Sequence, residues 1–321
     1  MLLERLGVDV PVVQAGMGGG VVGPELAAAV SEAGGLGTLA TTAPEVLERG
    51  LAEVRRLTRR PIAVNLLLPF ARRAHWRAAS GADLVVTFWG RPRRRTDGPW
   101  MHQCGSVDEA RAAHAAGADG VMVQGVEAGG HVRGATPALE LFDQVRAALP
   151  DGYPLFLAGG IADRADVQGA LEAGAVAAVL GTRFLMSEES AAHEGYKGRL
   201  VDGSTTILTD LFGLGWPNAT HRVLPNDATA HWLERRGDDR VPGWVSGVQA
   251  SVVPVRRHVP FAVQASLAHR VSARSPLLSP RPPVAGSPER MLRTGALYAG
   301  ETVARIRDLV PAGDLVRALT P

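Results

Sequence analysis

The sequence predicts an α/β protein whose core is a single (β/α)8 TIM barrel, and three observations favour this fold. Eight short apolar runs alternate with alanine-rich, helix-like stretches, as expected of parallel βα units. Three of the runs follow a Gly-Ala pair, at Gly81, Gly117 and Gly174, where a glycine would end a helix before a strand begins. The length of 321 residues also fits one barrel with insertions.

The predicted elements follow one another with short connections. The eight strands are expected at 11–14, 36–39, 62–65, 84–87, 100–103, 120–124, 155–158 and 177–180. Helices are expected at 24–32, 44–57, 107–115, 137–149 and 164–172. Pro24, Pro44 and Pro137 stand at the first helical positions, where the N–H group that proline lacks would have no partner in any case.

The alternation ends after Ser190. We therefore predict that residues 191–285 form an inserted cap of helices and loops, and that residues 1–190 and 286–321 form the barrel. The Ser/Pro-rich stretch 275–288 reads as a surface crossing. The amphipathic stretch 290–309 is predicted to be a final helix that returns to the barrel.

Composition limits the functions that the chain can have. Hydrophobic residues make up 46% of the chain and charged residues 21%, as is typical of globular proteins. The one basic cluster, 91–95, has no interleaved aromatic residues, so we predict no nucleic-acid binding. A single cysteine, Cys104, excludes an internal disulfide and a cysteine-based zinc site, and we expect no metal site. With neither a signal peptide nor an 18-residue apolar run, we expect a cytoplasmic protein with no membrane span.

Glycine-rich turns follow the seventh and eighth predicted strands. Barrels often bind phosphate at this pair of strand ends, with backbone N–H groups as donors. Ala158, Gly159 and Gly160 follow the seventh strand, and Gly181 and Thr182 follow the eighth. The sequence therefore predicts a phosphate cradle here, with tight turns that have no ligand as the alternative.

The turn after the first predicted strand has little side-chain bulk. It contains Gly16, Met17 and Gly18, beside which a flat ring could lie. A tight loop without a ligand is the alternative for this turn.

Three amides end other strands of the predicted barrel. Asn65, Gln103 and Gln124 each offer both a donor and an acceptor at the end where barrels bind ligands. A helix-capping role is the alternative for Asn65.

His131 is the candidate catalytic base. It follows Gly129 and Gly130 in the loop after the sixth strand, and an ordinary pKa of ~6.5 suits proton abstraction near neutral pH. His102, in or at the end of the fifth strand, is a second histidine that could face the pocket. The only lysine, Lys197, lies outside the predicted barrel strands, so a Schiff-base mechanism lacks its nucleophile.

Four segments carry a family resemblance. They are residues 11–40, beginning P-V-V-Q-A-G-M-G-G-G, residues 117–131, residues 158–185, and the V-V-T-F-W-G segment at 85–90. In these segments the chain resembles the nitronate monooxygenase family, formerly called 2-nitropropane dioxygenases, which also includes FMN-dependent enoyl-acyl-carrier-protein reductases. The resemblance spans most of the first 190 residues.

The resemblance implies a barrel that holds FMN non-covalently. The phosphate would lie at Gly159, Gly160, Gly181 and Thr182. The ring would lie near the turn after the first strand, with further contacts from Asn65, Gln103, Gln124 and Gly129. The residue that matches the family histidine is His131, which would take a proton from a nitro compound or position it. An alkyl nitronate and O2 would then give a carbonyl compound and nitrite.

This sequence departs from the family pattern at three places. Many relatives have Pro where Gly16 stands, and some have Lys where Gln103 stands. His131 is followed by Val132 and Arg133, whereas nitronate enzymes often read H-R-G directly.

Several functions remain open. The main alternative is an FMN- and NAD(P)H-dependent reductase of an activated C=C bond, such as an enoyl thioester. The T-F-W-G segment resembles the monooxygenase version more than the reductase version, which favours nitronate oxidation. A flavin-binding protein without catalysis and a barrel that binds a phosphorylated substrate are further alternatives. The sequence also leaves a homo-oligomer open.

Overall fold

The computed structural model describes residues 2–253, 266–267 and 269–321, and its centre is a closed barrel of eight parallel strands. The barrel strands are Val12–Gln14 (β1), Gly37–Leu39 (β2), Ile62–Leu67 (β3), Leu84–Phe88 (β4), Trp100–Cys104 (β5), Gly120–Gln124 (β6), Leu155–Ala158 (β8) and Ala177–Leu180 (β9). One short strand between β6 and β8, Gly130–His131 (β7), belongs to a second sheet. The predicted barrel and its eight strands are confirmed.

Closure of the barrel depends on β1, which pairs with β9 on one side and meets the β2 end of the sheet on the other. The N–H of Gln14 donates to the carbonyl of Leu36 at 3.0 Å, and the N–H of Leu36 donates to the carbonyl of Val12 at 3.0 Å. The sheet therefore has no free edge, and the carboxyl ends of all its strands meet at one rim.

Side chains alternate between the interior of the barrel and the helical layer. Val13, Ala63, Met101 and Phe156 belong to the interior cluster, together with Leu2 from below. Their strand neighbours pack outward against the helices and include Val12, Val64, Val85, Trp100, Val121 and Leu157. Because the side-chain period of a strand is two, this register decides which residues at the strand ends point into the barrel.

The helices that cover the barrel agree with the predicted positions. They are Leu2–Leu6 (α1), Pro24–Glu32 (α2), Pro44–Leu57 (α3), Arg73–Ala79 (α4), Val107–Ala115 (α5), Ala138–Ala148 (α6) and Arg164–Glu172 (α7). All five predicted helices are present, and α1 and α4 are additional. Pro24 and Pro44 lie in the first helical turn, whereas Pro137 precedes α6.

A second layer lies over the rim. Its elements are Thr182–Leu185 (α8), Glu194–Val201 (α9), Ile207–Thr209 (β10), His221–Val223 (β11), Asp227–Trp232 (α10), Gly243–Ser251 (α11) and Met291–Thr294 (α12). The last helix, Ala312–Leu319 (α13), instead packs against the barrel helices α2 and α7. β11 pairs antiparallel with both β10 and β7. A separate apolar cluster around Phe212, Trp232 and Val245 stabilises this layer.

The two ends of the predicted cap lie side by side. The N–H of Ala285 donates to the carbonyl of Ala191 at 2.8 Å, and Ala192 bridges Val284 antiparallel. A chain that leaves and re-enters the barrel at neighbouring points suits an insertion, and the division at 191–285 stays a prediction.

The predicted final helix at 290–309 is wrong. Only Met291–Thr294 is α-helical there, and Glu301–Arg305 forms a 3-10 helix, whereas the last helix is α13. Gly295 is extended, with φ −94° and ψ 163°, and ends α12. Gly300 approaches the carbonyl of Glu127 so closely that a Cβ would lie 3.0 Å from its oxygen. The stretch therefore crosses the barrel rim instead of packing along its side.

The helices of the described residues include none with the length and apolar character that crossing a bilayer demands. Cys104 is fully buried on β5, and burial raises the pKa of its thiol. It therefore packs as a small apolar side chain.

Gly37 should be essential for packing β2 against α2, because a Cβ there would lie 2.0 Å from the carbonyl oxygen of Ala27. We expect Gly37→Ala to lower the free energy of unfolding by about 2–3 kcal/mol, the usual cost of overpacking. The matched control is Gly169→Ala in α7, where a Cβ meets nothing within 4 Å, and we expect it to stabilise by about 0.5–1 kcal/mol. Urea unfolding measures both, and equal effects would contradict the prediction.

Candidate active site

Polar side chains from three strands point into the barrel at its rim. Asn65 lies on the same face of β3 as Ala63, and Gln103 lies on the same face of β5 as Met101. Ala63 and Met101 both belong to the interior cluster. Gln124 follows Met122 in the same way. The predicted amides therefore share the interior side of the rim, as ligand-binding residues of barrels do.

The predicted phosphate cradle has free donors. The N–H groups of Gly159, Gly160 and Gly181 have no hydrogen-bond acceptor within the described part of the chain. Gly159 and Gly160 have φ values of 103° and 75°, a backbone that favours glycine. The N–H of Thr182 lies at the start of α8, where it has no intrahelical partner. Unpaired N–H groups at strand ends suit an anion.

The stretch from Gly300 to Thr302 completes this cradle, and sequence reasoning did not find it. The Gly300 N–H donates to the Thr182 hydroxyl oxygen at 2.9 Å. A Cβ on Gly129 would lie 2.5 Å from the Gly300 nitrogen, so only glycine fits at Gly129. The signal in the sequence was Gly300 itself, which interrupts the amphipathic stretch predicted as the last helix.

A cavity opens at the cradle. Its lining includes eight of the predicted site residues: Gln103, Gln124, Gly129, Ala158, Gly159, Gly160, Gly181 and Thr182. Glu127 and Thr302 line it as well and were not predicted. The Glu127 carboxylate accepts the Ala138 N–H at 3.0 Å, at the start of α6, and so holds the loop after β6.

The other predicted binding residues do not line this cavity. Gly16 lies against Asn65, and a Cβ on Gly16 would lie 2.5 Å from the Asn65 Cβ. The Met17 sulfur lies 4.0 Å from the position that a Cβ on Gly181 would take. Gly18 faces open space. The β1 turn is therefore continuous with the cradle through Met17 and with the amides through Gly16.

Gln124 holds the strand that carries His131. Its side-chain N–H donates to the His131 carbonyl at 3.0 Å, and its side-chain oxygen accepts the Arg133 N–H at 3.2 Å. Both ends of the amide are thus used on backbone groups. Gln124 therefore positions His131, a role that its residue type alone did not reveal.

Aromatic rings enclose the imidazole of His131. Trp216 stacks on it, with ring centroids 4.4 Å apart and planes at 25°. His221 and Tyr298 lie at 5.4 and 5.6 Å, and Trp89 meets it edge-on at 6.5 Å. Among the described residues the imidazole has no hydrogen-bond partner. Its ring plane is fixed by packing, and both of its nitrogens are free for a ligand.

The surroundings keep His131 neutral. Burial, and then the neighbouring His221, lower the pKa of His131 well below 6.5. His221 is itself held in place, with Nδ1 2.8 Å from the Ala219 carbonyl oxygen and Nε2 accepting the Phe212 N–H at 3.2 Å. Burial lowers the pKa of His221 to about 4. A neutral imidazole without an acidic partner can accept a proton or donate one hydrogen bond.

Trp89 adds an unused donor to the wall around His131. Its indole Nε1 is buried without a hydrogen-bond acceptor among the described residues. The guanidinium of Arg133 lies over the ring at 4.7 Å, and the backbone of Trp89 has a φ of 60°. Such a left-handed backbone is costly for a residue with a Cβ and is often found at functional sites.

His102 does not face the cavity. It has the register of Trp100 and Cys104, which pack in the outer cluster, and its Nδ1 lies 2.8 Å from the Thr87 hydroxyl. Burial lowers the pKa of His102 to about 4. The suggestion that His102 could line the pocket is therefore wrong, and the period of two along β5, with Gln103 pointing inward, was the signal against it.

A closed barrel has the form of a barrel enzyme when it carries unpaired N–H groups at two strand ends and a neutral histidine held by Gln124 of the cavity wall. The family model described as nitronate monooxygenase matches residues 1–89 and 94–233. The chain belongs to the nitronate monooxygenase family and is an oxidoreductase of that family.

Similar proteins carry two kinds of name. Nitronate monooxygenase from Pseudomonas aeruginosa is 31% identical over an alignment of 373 residues, gaps included, that covers 98% of this chain and 96% of that protein. A protein of Rhodococcus jostii named (3aS,4S,5R,7aS)-5-hydroxy-7a-methyl-1-oxo-octahydro-1H-indene-4-carboxyl-CoA dehydrogenase is 30% identical, covering 98% and 93%. One of the same name from Mycobacterium tuberculosis is 32% identical over 238 residues, only 70% of this chain and 65% of that protein.

Two solved structures are similar over nearly the whole chain. Nitroalkane oxidase from Streptomyces ansochromogenes has a TM-score of 0.76 and 29% identity, covering 99% of this chain and 96% of that one. FabK from Thermotoga maritima has a TM-score of 0.75 and 26% identity, covering 99% and 94%. Similarity of overall fold therefore does not indicate which of these two enzymes is the better guide to the reaction of this protein.

The buried histidines should make the protein sensitive to acid. The pKa values of His102 and His221 are lowered from 6.5 to about 4 in the folded state, so the folded chain binds fewer protons than the unfolded chain between these pH values. We expect the free energy of unfolding to be highest above pH 6.5 and to fall toward pH 4, by about 1.4 kcal/mol per pH unit for each histidine. Urea unfolding between pH 7 and 4.5 measures this slope.

His102→Asn should reduce the slope of the unfolding free energy against pH by the contribution of one histidine, about 1.4 kcal/mol per pH unit. The control, His114→Asn, replaces an exposed side chain on α5 and should leave the slope unchanged. An unchanged slope in His102→Asn would contradict the assignment.

Proposed function

We propose that this protein is an FMN-dependent enzyme that oxidises alkyl nitronates with O2 to a carbonyl compound and nitrite. The observation that carries the proposal is the neutral imidazole of His131, which is surrounded by aromatic rings and has no hydrogen-bond partner among the described residues. Its backbone carbonyl is held by Gln124, which lines the cavity at the anion cradle. The P. aeruginosa and S. ansochromogenes proteins, named for a nitronate and a nitroalkane activity, support it.

The residues present fit FMN. Gly159, Gly160, Gly181 and Thr182 offer N–H groups that would hold its phosphate without a cation. The low-bulk turn at 16–18 leaves room for the flat ring, with the Gln103 amide available at the cavity wall. When bound there, FMN supplies electron transfer from the substrate to O2.

His131 handles the proton. Its neutral imidazole can accept the proton from the carbon that bears a nitro group, or donate a hydrogen bond to the oxygen of a nitronate that arrives as an anion. The nitronate charge would favour the protonated imidazole, because it supplies the opposite charge that the site otherwise lacks. Stacking on Trp216 keeps the ring in the plane required for either role.

Trp89 binds the substrate oxygen in this proposal. Its indole N–H is a buried donor without an acceptor among the described residues, and a nitro or nitronate oxygen would supply one. An unpaired buried donor costs about 1–3 kcal/mol, which binding would recover. The site thus recognises an oxygen-rich, anionic head group and leaves the rest of the substrate to the aromatic wall.

The electron donor distinguishes this function from the main alternative, an NAD(P)H-dependent reductase of an activated C=C bond. We expect purified protein to be yellow and to release FMN on denaturation. Anaerobic mixing with a nitronate should bleach the visible flavin absorbance rapidly, whereas NADH or NADPH should bleach it slowly. A colourless protein that releases no flavin would overturn the FMN assignment, and rapid bleaching by NAD(P)H alone would instead favour the reductase.

His131→Asn tests the role of the imidazole. We expect kcat/KM for a neutral nitroalkane to fall by about 10²–10⁴-fold, because only this substrate must lose a proton. The value for the preformed nitronate should fall by no more than about tenfold, the share of one hydrogen bond. Steady-state assays on both forms of one compound, with flavin content measured in each preparation, give the comparison. Equal losses on both substrates would show that His131 only binds.

A further inference from the structure

One long stretch of the sequence has no acidic residue. Residues 240–288 hold six arginines and two histidines but no aspartate or glutamate, although the whole chain has 32 acidic against 34 basic residues. Positive charge is therefore concentrated in this part of the sequence.

The described end of this stretch forms one wall of a cleft. The Trp232 indole N–H donates to the Ala273 carbonyl at 3.0 Å and holds the stretch against α10, and α12 forms the opposite side. The cleft has a volume of about 620 Å³, and the charged residues among its described lining are His231, Arg235, Arg270, Arg274, Arg290, Arg293 and Asp227. It shares no lining residue with the cavity at the barrel rim.

The charges in the cleft are largely uncompensated. Among the described residues that line the cleft, Asp227 is the one carboxylate, and it pairs with Arg293 at 2.6 Å. Arg235, Arg270, Arg274 and Arg290 are exposed and have no ion pair within the described part of the chain. Five arginines against one aspartate leave four net positive charges in a concave site, on a chain whose formal net charge is +2. A cleft lined by one sign of charge concentrates ligands of the opposite sign.

Arginine specifies the kind of anion. Its planar guanidinium donates two parallel hydrogen bonds to phosphate oxygens, which makes it the preferred side chain for phosphate recognition. Several guanidiniums around one cleft suit a ligand with more than one phosphate. The concave shape suits a small molecule, because a protein partner would need a broad and flatter contact area.

The cleft lies within reach of the candidate active site. Thr294 lines the cleft, and the ring of Tyr298 lies 5.6 Å from that of His131. Tyr298 is four positions after Thr294, a step that spans at most about 14 Å when the chain is extended. The cleft therefore lies within about 14 Å, along the chain, of a ring that packs near His131.

We propose that this cleft binds the phosphate groups of a nucleotide-type ligand whose other end reaches the active site. The site is separate from the FMN cradle, and the proposal does not depend on the nitronate reaction. Two sources of such phosphates are a thioester carrier with a 3′-phosphoadenosine end and a dinucleotide with a 2′-phosphoadenosine end.

Isothermal titration of the flavin-loaded protein tests this. The probes are adenosine 3′,5′-bisphosphate, adenosine 2′,5′-bisphosphate, pyrophosphate and adenosine. We expect the phosphates to bind and adenosine not to bind, with affinity falling as salt is raised. The tighter of the two bisphosphates identifies the source. Arg270→Ala and Arg274→Ala should each weaken binding by about tenfold.

Arg111→Ala is the matched control, because Arg111 is exposed on α5, far from the cleft in sequence and outside its lining. It should leave the affinity unchanged. The proposal is overturned if no phosphate binds, if Arg111→Ala weakens binding as much as Arg270→Ala, or if the probes release flavin, which would place them in the rim cradle. Binding of polyglutamate without binding of any phosphate would overturn it as well, in favour of an acidic protein partner.

Discussion

Closure of the eight-stranded sheet is the constraint from which the site follows. The hydrogen bonds between β1 and Leu36 join the two ends of the sheet, and the carboxyl ends of all strands then face one rim. In a parallel barrel each βα turn leaves the carboxyl end of a strand, whereas each αβ turn lies at the opposite end. Every βα turn therefore contributes to that rim. Residues separated by more than a hundred positions, such as Ala15 and Gly181, come to line one cavity only because the barrel is closed.

The rim and the second layer contribute different chemistry. Backbone N–H groups of the rim cannot be ionised and offer fixed donors, which suits a bound anion across a wide range of pH. The second layer brings the rings of Trp216, His221 and Tyr298 around the imidazole of His131. The antiparallel pairing of His131 with His221 joins the two parts, so the histidine is held by both.

Charge is distributed in a way that matches these roles. The imidazole is surrounded by neutral, apolar groups, and removal from water keeps it uncharged. The uncompensated arginines are placed in the separate cleft, where water remains and a cation costs little to maintain. A mobile anion could thus be attracted to the molecule without a positive charge beside His131.

The sequence by itself determined the barrel, most of the helices and the glycine turns at the rim. The hydrophobic pattern of a strand or a helix repeats over a few residues, and glycines mark the turns between them. Gly159, Gly160 and the inward register of Gln103 could therefore be predicted from the local pattern. Tertiary structure alone decided that Gly300 packs on Gly129 and Thr182, and that Tyr298 and Trp216 reach His131.

These contacts join residues roughly 85 to 170 positions apart and leave no periodic trace in the chain. The wrong prediction of a helix at 290–309 has the same cause. The amphipathic pattern of this stretch arises because it is buried over the rim, and such a pattern does not specify which part of the protein buries it. The role of Gln124 was likewise decided in three dimensions, because an amide has the same donors and acceptors whether it holds a ligand or the backbone of His131.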